Sequence, residues 1–479
     1  MQQQEPPRKD SLLPTVFVIF GATGDLMQKK LAPSLFYLHK AGLLPALFQI
    51  VGFARQPLSN EEFRERVKKT LEGNVRGTSE EIEQFSRFFV YQQGFFEQKE
   101  GYEKLAYLLG KRDDEWKVCS NKLFHLAVPP SYYKQIFQHL VDSGLTKPCS
   151  PEEGWTRVIL EKPFGKDLET AEELDRLSAK LFKEEQIYRI DHYLGKETVQ
   201  NILAFRFSNF FLQDSWNKDS IESISIQLLE QNGVSGRGEF YDGIGALRDV
   251  GQNHMLQLLA LFCMENPETF DGESLRKARA KLLESLHMLH GKDIQKETVR
   301  GQYAGYLQEE GVRPDSATET YFKIHAFLKT PRWEGMPVIL ESGKSVSQDK
   351  AEVVITFKHS TPCLCPKGTE HAKNVLRYQI QPEERISISL YVKRPGTEMK
   401  LEERSFEFDY RKAFEKEEFQ DAYAKLLLSC IKGDQTLFVS SKEIEASWRF
   451  IDPIVRAWQD NKTGSIIYKQ GTLPVIRTI

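Results

Sequence analysis

A chain of 479 residues with 40% apolar content is long enough to bury two or three cores. Its net charge of -3 and pI near 6.4 give no electrostatic footprint for nucleic acid, and no apolar run approaches the ~18 residues of a membrane span, so the expected partner is a small soluble ligand. The six cysteines are too dispersed for a disulfide framework, so free thiols are expected.

The opening "MQQQEPPRKDS" has charge and proline but no apolar centre, which predicts a disordered arm over residues 1–10 rather than a signal peptide, and a cytoplasmic protein. Residues 11–190 then alternate β-rich runs with helical periodicity. "TVFVIF", "FQIVGFA", "FFVYQQ", "KLFHLAV", "TRVIL" and "QIYRI" read as six parallel strands, and "DLETAEELDRLSAKLF" reads as one of the helices between them. The pattern predicts a Rossmann-like doubly wound α/β domain, whose ligands bind beyond the carboxyl ends of the strands.

The residues at those ends are informative. After the first strand, "FGATGDL" forms a glycine turn into a helix, where Gly21 and Gly24 let the backbone approach a pyrophosphate. The spacing departs from G-x-G-x-x-G, and a tight turn without a ligand is the competing reading. The second strand ends in Arg55 and Gln56, where an NAD site usually offers an acid to the ribose 2′-hydroxyl. A guanidinium there, with the Thr23 hydroxyl, suits a 2′-phosphate, so NADP is favoured and NAD is the weaker alternative. After the fifth strand, Lys162 precedes a proline that restricts the backbone and permits a cis bond, a geometry that would aim the amine at the cleft. The sixth ends in "RIDHYLGKETVQN", which crowds Asp191, His192, Tyr193 and Lys196 together; a base, an anion grip and a solvated turn can all be drawn from them.

From residue 191 to 479 longer alternating runs such as "ESISIQLLE", "AEVVITFK" and "RISISLYVK" predict an α+β domain with a large, mainly antiparallel sheet. "RDVGQNHMLQLLALFCM" and "FQDAYAKLLLSCIKG" are expected to cover one of its faces. In the first, His254 shares a helical stripe with Leu258 and Phe262 and should point inward, either as a satisfied core histidine or as a base. "HSTPCLCPKGTEH" gathers His359, Cys363, Cys365 and His371, but a single Cys-x-Cys is weak evidence for zinc, and no metal is expected.

Taken together, "FGATGDL", "EKPFG", "RIDHYLGKETVQN", "GALRDVGQNHMLQLL", "VRGQY", "RWEGMPVIL" and "AWQD" resemble the glucose-6-phosphate dehydrogenase family, in the family's order and over nearly the whole chain. The resemblance implies NADP-dependent oxidation of D-glucose 6-phosphate to 6-phospho-D-glucono-1,5-lactone, the first step of the pentose phosphate pathway. It also implies a homodimer or dimer of dimers formed through the antiparallel sheet. It places Gly21, Thr23, Gly24, Asp25, Leu26, Arg55, Gln56 and Lys162 at the cofactor. His254 matches the family's base and Asp191 the carboxylate that orients it, while His192, Tyr193 and Lys196 match the phosphate grip. Glu230, Asp249 and Lys344 match the residues that hold the sugar, with Lys162 between substrate and cofactor.

Two positions depart from the pattern. The family usually carries an arginine where this chain has Glu341, and a basic residue that helps hold the phosphate where it has Asp349; Lys350 alongside would point the other way on a regular strand. Glu341 also argues against the additional structural NADP site of some members. The rival readings are a glucose-fructose oxidoreductase-like enzyme acting on unphosphorylated sugars, for which Asp349 speaks, and an NADP-binding sensor without turnover.

Overall fold

In the computed structural model, which describes residues 12–148, 153–359, 362, 364, 373–414, 421–460 and 464–474, the β-rich runs of the first half become six parallel strands. They are β1 (Thr15–Phe20), β2 (Phe48–Ala54), β3 (Phe89–Gln93), β4 (Asn121–Leu126), β5 (Thr156–Leu160) and β6 (Ile187–Ile190). The order β6-β5-β4-β1-β2-β3 reverses direction beside β1, which puts the ligand crevice at the carboxyl ends of β1 and β4. β1, β2 and β4 are buried along their whole length, as strands covered on both faces must be.

The second sheet has nine strands: β7 (Ile221–Leu229), β8 (Thr298–Tyr303), β9 (Tyr321–Ala326), β10 (Val338–Gly343), β11 (Lys350–Phe357), β12 (Val375–Gln381), β13 (Arg385–Lys393), β14 (Leu401–Asp409) and β16 (Ser465–Tyr468). Its neighbours run antiparallel except β10 on β7 and β16 on β8, which are parallel. Ile224, Ile226 and Leu228 of β7 share a core with Leu258, Leu259 and Phe262 of the helix Leu256–Cys263, in which every residue is buried.

Two features depart from the sequence expectations. The first sheet has a seventh strand, β15 (Phe438–Val439), antiparallel to β6 with Phe438 opposite Ile190. The helix Ala422–Lys432, expected on the second sheet, instead buries Leu426, Leu427 and Ile431 in one cluster with Phe17 and Ile19 of the first and Leu35 of a helix packed on it. Its apolar stripe specifies that one face is buried, and either sheet can satisfy that demand. Cys263 and Cys430 are buried free thiols as expected, whereas Cys119 is disulfide-bonded. The arm 1–10 and the residues Cys363, Cys365 and His371 lie outside the described residues.

Candidate active site

At the carboxyl end of β1 the chain turns at Gly21, whose φ is +84° and where a Cβ would stand 2.4 Å from the Ala127 carbonyl oxygen, so only glycine fits. A Cβ on Gly24 would meet only the Gly21 oxygen of its own turn, leaving the outer side open to a phosphate. Thr23 is half-buried, Leu26 packs against the core and Asp25 pairs with Lys29 at 2.6 Å. Arg55 and Gln56 follow β2, both exposed, with Arg66 donating to Gln56 at 2.7 Å; no acid stands at that strand end. The backbone cradle, the open Gly24 and the exposed guanidinium fit a dinucleotide.

The other residues converge from five places in the chain. Lys162 follows β5 and is joined to Pro163 by a cis bond, Asp191 to Lys196 follow β6, Glu230 follows β7, and Lys344 follows β10. Asp249 and His254 come from Leu247–Met255, a π-helical stretch. In a regular α-helix residues five apart face about 140° away from each other, whereas i→i+5 bonding brings them toward one face. Asn253 supports this wider turn: its amide donates to the carbonyls of Arg248 and Asp249 at 3.2 and 3.0 Å and its oxygen accepts from His254 N at 2.7 Å.

At the centre, His254 Nδ1 lies 2.5 Å from Asp191 Oδ1, and Lys162 Nζ lies 3.1 Å from His254 Nε2 and donates to the Asp249 carbonyl at 3.1 Å. Tyr193 stacks on His254 with centroids 4.3 Å apart, and His192 meets it edge-on at 4.6 Å. Asp191 and His192 therefore flank the same imidazole instead of pointing to opposite sides. The alternation of an extended segment ends there, because Asp191 accepts from Tyr193 N at 3.0 Å and caps the 3₁₀ turn His192–Gly195. Lys344 Nζ donates to Glu230 at 2.7 Å and approaches Asp249 at 3.6 Å. Lys196 lies 4.3 Å above the Tyr193 ring and donates to Gln381.

Burial and mutual charge set the protonation states. Burial alone would raise the Asp191 carboxyl, but His254, His192 and Lys162 outweigh it and hold it down at about 2. Burial pushes His254 below the usual histidine range in spite of Asp191, and burial with the neighbouring His254 pushes His192 down to about 3. Burial raises Asp249, yet Lys162 and Lys344 bring it below its ordinary value. Burial lowers Lys196 to about 8. The result is a neutral imidazole backed by an ionised carboxylate, the state a general base requires.

All of these groups except Asp191, which lies behind His254, line a cleft of about 450 Å³ between the two sheets, which meets a second of about 840 Å³ running past Leu26 and Lys30 at the glycine turn; Lys162, His192, Lys196 and Gln381 line both. Gln381 and Arg237, which lines the first cleft, were not singled out from sequence, and only proximity in the fold reveals them. Asp349 is exposed and accepts from Gln231 N at 2.8 Å, tying down the segment after Glu230. Lys350 bonds Gln227 and Glu352, and Glu341 is buried, accepting from Tyr321 and Gln227.

A dinucleotide cradle on a doubly wound sheet, joined to a mainly antiparallel sheet across a cleft with a buried His–Asp pair, defines a nicotinamide-dependent oxidoreductase. Residues 18–201 match the glucose-6-phosphate dehydrogenase NAD binding domain and residues 203–474 the C-terminal domain. The chain belongs to the glucose-6-phosphate dehydrogenase family. It is 41% identical over 449 residues to the glucose-6-phosphate 1-dehydrogenase of Aggregatibacter actinomycetemcomitans, covering 91% of this chain and 90% of that protein. It is 38% identical over 467 residues to that of Chlamydia muridarum, covering 93% and 90%. A solved glucose-6-phosphate dehydrogenase in complex with its substrate glucose-6-phosphate superimposes with a TM-score of 0.89 at 34% identity, covering 97% of this chain and 96% of that one.

Proposed function

We propose that the protein oxidises C1 of D-glucose 6-phosphate to 6-phospho-D-glucono-1,5-lactone with NADP, NAD being the weaker acceptor, as the first step of the pentose phosphate pathway. His254 is the base. The observation that carries this reading is the buried His254–Asp191 pair opening onto a cleft furnished with Lys162, Lys196 and Lys344. Bound along the glycine turn by Gly21, Thr23, Gly24, Asp25 and Leu26, with Arg55 and Gln56 at the 2′-phosphate and Lys162 at the substrate side, the dinucleotide supplies the hydride acceptor.

The chain's own residues manage the proton and the sugar. His254 donates Nδ1–H to Asp191, which leaves the Nε2 lone pair free to accept. The substrate C1 hydroxyl takes the place that Lys162 Nζ holds at Nε2; as hydride leaves C1 the hydroxyl proton passes to His254, and Asp191 stabilises the imidazolium. Glu230, Asp249 and Lys344 are tied to one another by ion pairs and present fixed acceptors and a donor to the sugar hydroxyls. His192, Tyr193 and Lys196 hold the phosphate, with His192 as a neutral donor in the free enzyme. The assembly proposed is a homodimer formed through the second sheet, or a dimer of such dimers. The cytoplasmic location proposed here is in keeping with the relative in Arabidopsis thaliana, named as cytoplasmic and 37% identical over 461 residues.

Initial rates with glucose 6-phosphate or glucose, each with NADP or NAD, test the reading. Turnover of the phosphorylated sugar with NADP is the expected preference. Equal rates with unphosphorylated glucose would favour the glucose-fructose oxidoreductase-like alternative, and no turnover in any combination would favour a sensor.

A further inference from the structure

Asp191 offers two carboxylate oxygens, and the base uses one. Oδ1 accepts from Tyr193 N and faces His254 Nδ1, whereas Oδ2 is buried without a hydrogen-bond partner. The same is true of Gln257 Oε1, one helical turn beyond His254. The two side chains are 2% and 3% exposed, and both line one small cavity together with Gln252, Val439, Ile444 and Ser447. The cavity has room of about 10 Å³ for the centre of a water-sized sphere, which is the space of a single water. Its polar wall presents two orphan acceptors, and water carries two O–H donors.

We infer that one ordered water occupies this cavity, donating one hydrogen to Asp191 Oδ2 and the other to Gln257 Oε1, and that Gln257 is thereby a positioning residue for the base. This rests on the reading of His254 and Asp191 as base and orienter. A buried acceptor left unpaired carries its full desolvation cost, so the water removes a penalty that would otherwise fall on the ionised carboxylate. Fixing Oδ2 fixes the carboxylate plane, so Oδ1 stays aligned with Nδ1. By drawing charge from Asp191, the water also lowers the pair's affinity for a proton and keeps His254 neutral to lower pH. The other titratable groups facing the pair are His192, Tyr193, Lys162, Lys196, Asp249 and Tyr423, and neither substitution below alters them.

The experiment combines crystallography of the whole enzyme with pH profiles. A high-resolution structure of the unaltered protein should show solvent density within hydrogen-bond distance of both oxygens. Val439→Ile fills the cavity with a methyl group and should remove that density; Gln257→Leu removes the acceptor at nearly constant volume. In each variant the acid limb of kcat/KM should move up by about half a unit to one unit, because a less solvated carboxylate binds the shared proton more tightly, while both Michaelis constants change less than about twofold. Absence of the density, with the Gln257 amide turned to donate directly to Oδ2, overturns the water. Acid limbs that coincide with the unaltered enzyme overturn the positioning role. If Val439→Ile does not fold, the unaltered structure and Gln257→Leu still decide. The base reading fails separately, if His254→Asn leaves the single-turnover rate unchanged, and the density does not depend on it.

Discussion

The nucleotide end and the sugar end of the cleft are built on opposite principles. Gly21 to Leu26 come from one contiguous turn, with Arg55 from the neighbouring strand end, and the polar groups among them are largely open to solvent. The sugar end draws Lys162, Asp191, Glu230, Asp249, His254 and Lys344 from five separate places and shuts its His–Asp pair away, where burial and mutual charge bring the proton affinities of both groups below their ordinary values. On the proposed reading, the first end recognises by backbone shape and an exposed charge, and the second acts by controlling where protons reside. Losses at the first should appear in binding and at the second in the chemical step.

The strongest way to break that contrast is at His254. His254→Asn should lower kcat by roughly 10²–10⁴-fold while leaving the glucose 6-phosphate dissociation constant nearly intact, and Asp191→Asn should resemble it in kind. Single-turnover rates beside equilibrium binding decide this. The same pair of measurements on His192→Asn should show the reverse, a Michaelis constant raised about tenfold and little change in the chemical step, because a phosphate is charged in ground and transition states alike.

At the nucleotide end, Arg55→Ala should raise the NADP Michaelis constant by about tenfold and leave that for NAD alone, since only one cofactor loses a charge-assisted contact. Equal changes with both cofactors would remove Arg55 from the 2′-phosphate. A several-fold effect is expected from pH at Lys196. Its ammonium is present below about 8 and lost above it, so kcat/KM for glucose 6-phosphate should decline as pH rises through that value. Lys196→Arg should shift the decline to higher pH in the same assay.

The smallest effect concerns Asp349. As a missing phosphate ligand, it predicts that Asp349→Lys tightens substrate binding by ~1 kcal/mol or less. The structure gives its carboxylate a bond to Gln231 N beside Glu230, so the lysine should instead weaken binding about twofold, whereas Asp349→Asn, which keeps an acceptor and sheds the charge, should tighten it slightly. Substrate titrations of both variants at low salt separate the charge from the contact.

The nucleotide end was legible in the sequence for the reason that makes it simple: a turn, its glycines and the next strand end are local. The sugar end was legible only by resemblance. Asp249 and His254 are spaced for no face of an α-helix, and periodicity cannot foresee a π-helical stretch. On an extended segment the neighbours Asp191 and His192 would point to opposite sides, but alternation holds only while the chain stays extended, and the Asp191 carboxylate ends that state by capping the next turn. Gln381 gave no signal at all, since its importance lies in reaching Lys196 across the cleft.

β15 sets a timetable for folding. The edge of the first sheet that carries Asp191 is completed by residues roughly 250 positions later in the chain. During synthesis at ~5–20 residues per second, β6 therefore waits some tens of seconds with its outer backbone groups unpaired. An unpaired strand edge invites pairing with other chains. A nascent first domain of this protein is thus a natural client for chaperones, and a fragment ending near residue 200 carries that open edge permanently.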